Sequence, residues 1–298
     1  MAEQDDLPVE ESEQEDFREK PVVYAIPDME DAIVRADIVY KTVDSGDLLM
    51  DVYYPSDYEG ETRLPAVIYV HGDGPPEFLK NAKDWAGYVS WGQLAAASGL
   101  IGVTFNHRSS EMLTMLYEAA RDVDDLIQYV RDNSKSLGID ADALCIWTCS
   151  AGSPFGLRTA LRKEATYVRC AVSYYGVADL KAFYEDDSFP EGSEERKAYE
   201  DMLPPLSEEV FDEFSAPTRL SQRTNEILPL LIVRAGLDSP ELNKSIDRLV
   251  AAAVAKNVSL DFMNHATGRH AFDILDDNAR SYEIIRTTLD FMKTHLTR

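Results

Sequence analysis

Short apolar runs alternate along most of the chain with longer stretches in which apolar residues return every three or four positions. Val34–Val43 and Leu48–Tyr54 read as two strands around the turn-forming Asp44-Ser45-Gly46-Asp47. Leu64–Val70 is almost continuously apolar and ends at His71-Gly72. A run without alternation predicts a strand buried on both faces, as in a parallel sheet. A helical stretch over Trp91–Ser98 stops at Gly99, and Leu100–Phe105 is the next strand. Leu116, Ala120, Val123, Ile127 and Val130 mark one face of a helix. Ala143–Cys149 is a strand, and Ala151 opens another helix. Further strands are predicted over Val168–Tyr174, Leu228–Arg234 and Val258–Met263. Leu242, Ile246, Leu249 and Ala253 line a helix, and Tyr282–Leu296 closes the chain with another.

Strands alternating with helices predict an α/β fold: a mostly parallel central sheet with helices on both faces. The first two strands, joined by a tight turn, form its antiparallel edge. No internal repeat or Gly/Ser linker interrupts it, so residues 21–298 are expected to form one domain. Two segments break the pattern. Residues 1–20 are acidic and nearly devoid of apolar groups, which predicts a disordered or loosely docked tail. Residues 179–225 are too long for an ordinary connection. They carry Phe183, Tyr184, Phe189, Tyr199, Met202, Leu203, Phe211 and Phe214, more large apolar groups than a polar loop needs. Two readings stand: a cap that roofs a pocket, or an insertion with a small core of its own.

Charge narrows the function classes. The 298 residues hold 29 Lys plus Arg against 54 Asp plus Glu, a net charge of −25. Such a surface repels phosphate backbones and anionic lipids, so nucleic-acid and membrane partners are not expected. The acidity fits a plain acidic protein or adaptation to salt. Cys145, Cys149 and Cys170 are odd in number and lie in apolar stretches, which reads as buried free thiols in a reducing compartment. The N-terminal residues lack a basic and apolar leader. No apolar run approaches the roughly 18 residues of a membrane span. A cytoplasmic location is expected.

Four segments carry candidate chemistry. Thr148-Cys149-Ser150-Ala151-Gly152 joins a buried strand to a helix. Small residues after Ser150 allow a sharp turn that lifts its Oγ above the sheet edge, the nucleophile elbow G-x-S-x-G with Thr148 in place of the first Gly. Centring the turn on Cys149 would put Trp147 at a position that needs a small residue, so Ser150 is the nucleophile candidate. The alternative is that Ser150 only caps the helix. His71-Gly72-Asp73-Gly74 follows the Leu64–Val70 strand. The backbone N–H groups of Gly72, Asp73 and Gly74, with that of Ala151, could bind an oxyanion. The Asp73 carboxylate would have to point away. Asp238, in Gly236-Leu237-Asp238-Ser239-Pro240, follows a strand and could orient a histidine, or else cap the next helix. His265 and His270 both follow the last strand, and Gly268 lets the loop turn His270 back toward Ser150. Four residues apart and without other ligands, the two histidines make a weak metal motif. His107 and His295 have no motif context.

Ser150, Asp238 and His270 occur in the order of the α/β-hydrolase superfamily. Over roughly Val34–Leu296 the chain resembles carboxylesterases and dienelactone-hydrolase-like members. LPAVIYVHGDG resembles the family's strand and oxyanion loop, VRAGLDSP its acid loop, and GRHAF its histidine loop. Thr148 and Asp73 depart from the family pattern. Dienelactone hydrolases proper use cysteine as nucleophile, and Ser150 argues against that activity. The resemblance implies an α/β-hydrolase fold and a serine hydrolase acting on a small-molecule carboxylic ester, through a Ser150-Asp238-His270 triad and without a cofactor or metal. An amidase, formamidase or peptidase with the same triad, and a non-catalytic binding protein on the same scaffold, are the alternatives. Nothing in the sequence specifies an oligomeric state.

Overall fold

The computed structural model describes residues 16–185, 190–223 and 227–297. Its strands are β1 (Ile33–Val43), β2 (Gly46–Tyr54), β3 (Leu64–Val70), β4 (Ile101–Phe105), β5 (Ile139–Cys149), β6 (Val168–Tyr174), β7 (Leu230–Ala235) and β8 (Leu260–His265). They form one sheet in the order β1-β2-β4-β3-β5-β6-β7-β8. The β1–β2 and β2–β4 pairs are antiparallel and all others parallel. The chain runs from β3 out to β4 and then crosses to β5 on the other side of β3. The C-terminal ends of β3 and β5 therefore flank a switch point, where open parallel sheets form a crevice.

The helices are α1 (Ala86–Ala97), α2 (Leu116–Asp132), α3 (Ser134–Leu137), α4 (Ser153–Ala160), α5 (Lys181–Tyr184), α6 (Glu194–Met202), α7 (Glu208–Phe214), α8 (Ala216–Gln222), α9 (Pro240–Ala255), α10 (Phe272–Leu275) and α11 (Ala279–Leu296). Alternation along the strands divides the core. Tyr69, Trp147 and Tyr174 project to one face and meet Trp91 of α1 at ring-centroid distances of 6.0, 5.2 and 5.6 Å. Tyr174 also bonds Thr288 of α11. On the other face Val70, Ile146 and Thr148 lie against Gly156 of α4. This is the α/β-hydrolase arrangement expected from the sequence. No helix among the described residues is long and apolar enough to cross a membrane.

Several boundaries differ from the periodicity. β8 ends at His265 rather than Met263, because β7 carries the ladder to the Ala235–His265 pair. α1 begins at Ala86, well before Trp91, and Ser150–Gly152 form a 3-10 turn before α4 starts at Ser153. Pairing with a neighbouring strand sets such ends more than local polarity does.

In the segment 179–225, Phe211 and Phe214 are buried in the main hydrophobic core, and the Tyr184 ring packs edge-on to Phe211 at 4.9 Å. The Phe214 ring meets Tyr117 of α2 at 5.3 Å, and the Arg158 guanidinium of α4 lies over it at 5.3 Å. α7 and α8 thus extend the layer on the α4 side of the sheet, and α5 packs against α9. None of their described residues lines the cavity above Ser150. Phe189 and Asn225 lie outside the described residues. So do residues 1–15 of the predicted tail; its remaining part forms a 3-10 turn at Phe17–Glu19, capped by Asp16.

Candidate active site

β5 turns into α4 within a few residues, and the turn places Ser150 in the left-handed region at φ 49°. That conformation is costly for a residue with a Cβ. It is held from both sides: the Ser150 carbonyl accepts the Val177 N–H at 3.0 Å, and Gly152 presses on the β3 end. A Cβ on Gly152 would stand 2.0 Å from the His71 carbonyl oxygen. Ser150 therefore forms the bend, and its side chain does not cap α4. Thr148 fits the elbow because α4 carries Gly156 opposite it; a Cβ there would stand 2.1 Å from the Thr148 methyl. The Thr148 hydroxyl is hydrogen-bonded with Ser153 Oγ at 2.9 Å.

The three residues of the predicted triad converge. His270 Nδ1–H donates to Asp238 Oδ2 at 2.6 Å, which leaves Nε2 to accept the Ser150 hydroxyl at 2.9 Å. Asp238 is fixed further by the Ser239 N–H, donated to Oδ1 at 2.9 Å. Ser239, not Asp238, caps α9 by accepting the Leu242 N–H. His265 is the last residue of β8 and is buried, with Nε2 3.2 Å from Ser281 Oγ. Its ring packs on Gly268, where a Cβ would stand 2.6 Å from it. The loop then turns back through Ala271, at φ 59°, and carries His270 to Ser150. Cys149 lines the cavity beside Ser150, but burial pushes its thiol pKa up to about 12. Such a thiol stays protonated and unreactive.

The glycine loop differs from expectation at one donor. The Gly72 N–H donates to the Tyr88 hydroxyl at 3.0 Å rather than standing free for an oxyanion. No acceptor among the described residues takes the N–H groups of Asp73, Gly74 or Ala151. The Asp73 carboxylate is turned to the next loop, where the Ser110 N–H donates to it at 3.1 Å and the Ser110 hydroxyl also donates. Under this loop His71 and His107 stack at 3.7 Å, nearly parallel. The His107 N–H donates to His71 Nε2 at 3.2 Å, and His71 Nδ1–H to the Gly72 carbonyl at 2.7 Å. Burial, reinforced by His107, holds the His71 pKa well below the usual histidine range. His107, featureless in sequence, thus props the loop from below. His295 packs against Phe291, away from it.

Ser150 and His270 open into a cavity of about 250 Å³. Its wall includes Phe17, Phe78, Trp85, Tyr88, Tyr175 and Asp273. Apart from Phe17, these come from the β3–α1 connection, the first turn of α1, the end of β6 and the short helix α10. The Tyr175 ring lies 4.7 Å from that of His270. Sequence reading singled out none of the six for a role. Asp273 stands three residues beyond His270 in the chain.

Residues 50–239 match the BD-FAE family model. Among curated proteins no sequence match was found. Solved structures of similar fold include a truncated carbohydrate esterase from gut microbiota, with 19% identity and a TM-score of 0.69 over 94% of this chain and 100% of that one. Another is the thermophilic esterase Est2 of the planctomycete Thermogutta terrifontis, with 18% identity and a TM-score of 0.65 over 90% and 94% of the two chains. An inhibited esterase B from Lactobacillus rhamnosis aligns at 16% identity and a TM-score of 0.66, over 91% and 89%. With nearly two thirds of its length under the family model and an α/β-hydrolase sheet beneath it, the chain belongs to the BD-FAE family.

Proposed function

We propose that the protein is a serine hydrolase that cleaves a small carboxylic ester through an acyl-enzyme. The hydrogen-bonded line from Ser150 Oγ through His270 to Asp238, opening into an aromatic cavity, carries this reading. His270 Nε2 takes the hydroxyl proton as Ser150 Oγ attacks the acyl carbon. Asp238 holds the ring in the required tautomer and balances the imidazolium. The N–H groups of Asp73, Gly74 and Ala151 receive the oxyanion, with the Gly72 N–H withdrawn from that task by Tyr88. His270 then returns the proton to the departing alkoxide. A water, deprotonated by His270, attacks the acyl carbon and releases the carboxylic acid and Ser150.

A cavity of about 250 Å³ suits short or medium acyl groups. The Thermogutta terrifontis esterase, similar in fold, is known with propionate and with butyrate bound. The −25 charge supports a small soluble substrate over a nucleic acid or an anionic membrane. The test is fluorophosphonate labelling with hydrolysis of p-nitrophenyl butyrate. Ser150→Ala is expected to abolish labelling and lower turnover by about 10³-fold or more. Cys149→Ala is expected to keep most of both. Near-wild-type turnover by Ser150→Ala would sink the reading, and loss of turnover only in Cys149→Ala would move the nucleophile.

A further inference from the structure

The mechanism leaves one acidic group on the cavity wall without a task. Asp273 lies three residues beyond His270, on the short helix α10, is 2% exposed, and lines the cavity with Ser150 and His270. Tyr175 donates its hydroxyl to Oδ1 at 2.6 Å, and Trp91 its indole N–H to Oδ2 at 2.9 Å. Both donors are neutral. Among the described residues no lysine or arginine lines the cavity, and none stands within ion-pair distance of Asp273. Burial raises the pKa of this carboxyl, against the pull of its two hydrogen bonds. A buried carboxylate without a cation is costly, and a positive group reaching it would recover much of that cost.

The rest of the wall suits such a group. Phe78, Trp85, Tyr88 and Tyr175 surround the same space. Aromatic faces attract cations, most strongly where water is excluded. The net charge of −25 raises the local concentration of cations around the whole molecule.

We infer that the cavity selects carboxylic esters that bear an ammonium group, held among the aromatic rings and paired with the Asp273 carboxylate. This rests on the serine-hydrolase reading of the same cavity. The His270 ring is the competing partner for Asp273, but its Nδ1 is already paired with Asp238 and its Nε2 with Ser150.

The test compares the acetyl ester of choline with 3,3-dimethylbutyl acetate, which has the same shape without the charge. The wild type is expected to favour the charged ester in kcat/KM by about tenfold or more, and Asp273→Asn to erase most of that ratio, chiefly through KM. A wild-type ratio near one, or in favour of the neutral ester, overturns the inference. So does an equal fall on both esters in the variant, which would assign Asp273 to His270 or to packing. A second measurement needs no variant. Tetramethylammonium is expected to slow fluorophosphonate labelling of Ser150 at concentrations about tenfold below those of tert-butanol. Equal protection by the two overturns the inference while the nucleophile stands. A chain that neither labels nor cleaves either ester would fail both readings together.

Discussion

Depth in the fold separates the two histidines that follow the last strand. His265 ends β8 and is buried against Ser281, while His270 lies past Gly268 on a loop that has turned back over the sheet edge. His270→Ala is expected to lower kcat on p-nitrophenyl butyrate by about 10³-fold or more. His265→Ala is expected to cost less than about tenfold in kcat and to show mainly as a lower unfolding midpoint, since it empties a packed site. The reverse pattern, with circular dichroism unchanged, would mean that the loop carries the base differently. Ser150, Asp238 and His270 were legible because each stands in a turn with its own local chemistry. Tyr88, Tyr175 and Asp273 were not. Their placement depends on contacts such as Trp91 to Asp273 and Tyr175 to Asp273, made across long stretches of chain. The acceptor that the Gly72 N–H finds was hidden for the same reason, being a tyrosine on α1.

Elements meet at the elbow with little room to spare. Thr148 on β5 and Gly156 on α4 share one volume, bounded also by Ile146 and Val70. Gly156→Ala is expected to destabilise by about 1–3 kcal/mol through overpacking, despite the better helix propensity of alanine. Thr148→Ser removes the interfering methyl and keeps the hydroxyl for Ser153. Adding it to Gly156→Ala should recover part of the loss, a coupling of at least about 0.5 kcal/mol by urea unfolding. Additive losses would show that the two side chains do not compete. At this scale the sequence was informative about which strands and helices exist, since Leu64–Val70 and Val168–Tyr174 match the observed β3 and β6. It was silent on partners. Nothing in the pattern of 179–225 distinguishes a roof over the cavity from helices laid against α2 and α4.

Across the whole molecule, scarce cations are shared among plentiful carboxylates. Lys83 contacts Asp37, Asp51 and Asp84, Lys41 contacts Asp122 and Asp125, and Arg248 contacts Asp179 and Glu185. Burial alone would lower the Lys83 pKa, but its carboxylate partners overcome that and raise it. The remaining acids repel one another, so the unfolding midpoint is expected to rise between about 10 mM and 500 mM NaCl as the screening length shortens. A flat response would mean that the shared pairs already balance the field. Acid acts through the loop support. Unfolded His71 takes a proton near pH 6.5, whereas burial and His107 keep folded His71 neutral well below that. The unfolded chain then binds more protons, so this contribution to stability is complete above about pH 6.5 and falls as pH drops, by up to about 1.4 kcal/mol per unit. His71→Asn should flatten the pH dependence of unfolding between about pH 6.5 and 5 relative to wild type. Equal slopes would show that folded His71 already carries a proton there.

The shared volume at the elbow also bears on how the sequence can change. With threonine at 148, any side chain at 156 meets its methyl. A path that exchanges both residues is therefore less costly when position 148 changes first. Two positions on different elements thus set the order in which the elbow can be rebuilt.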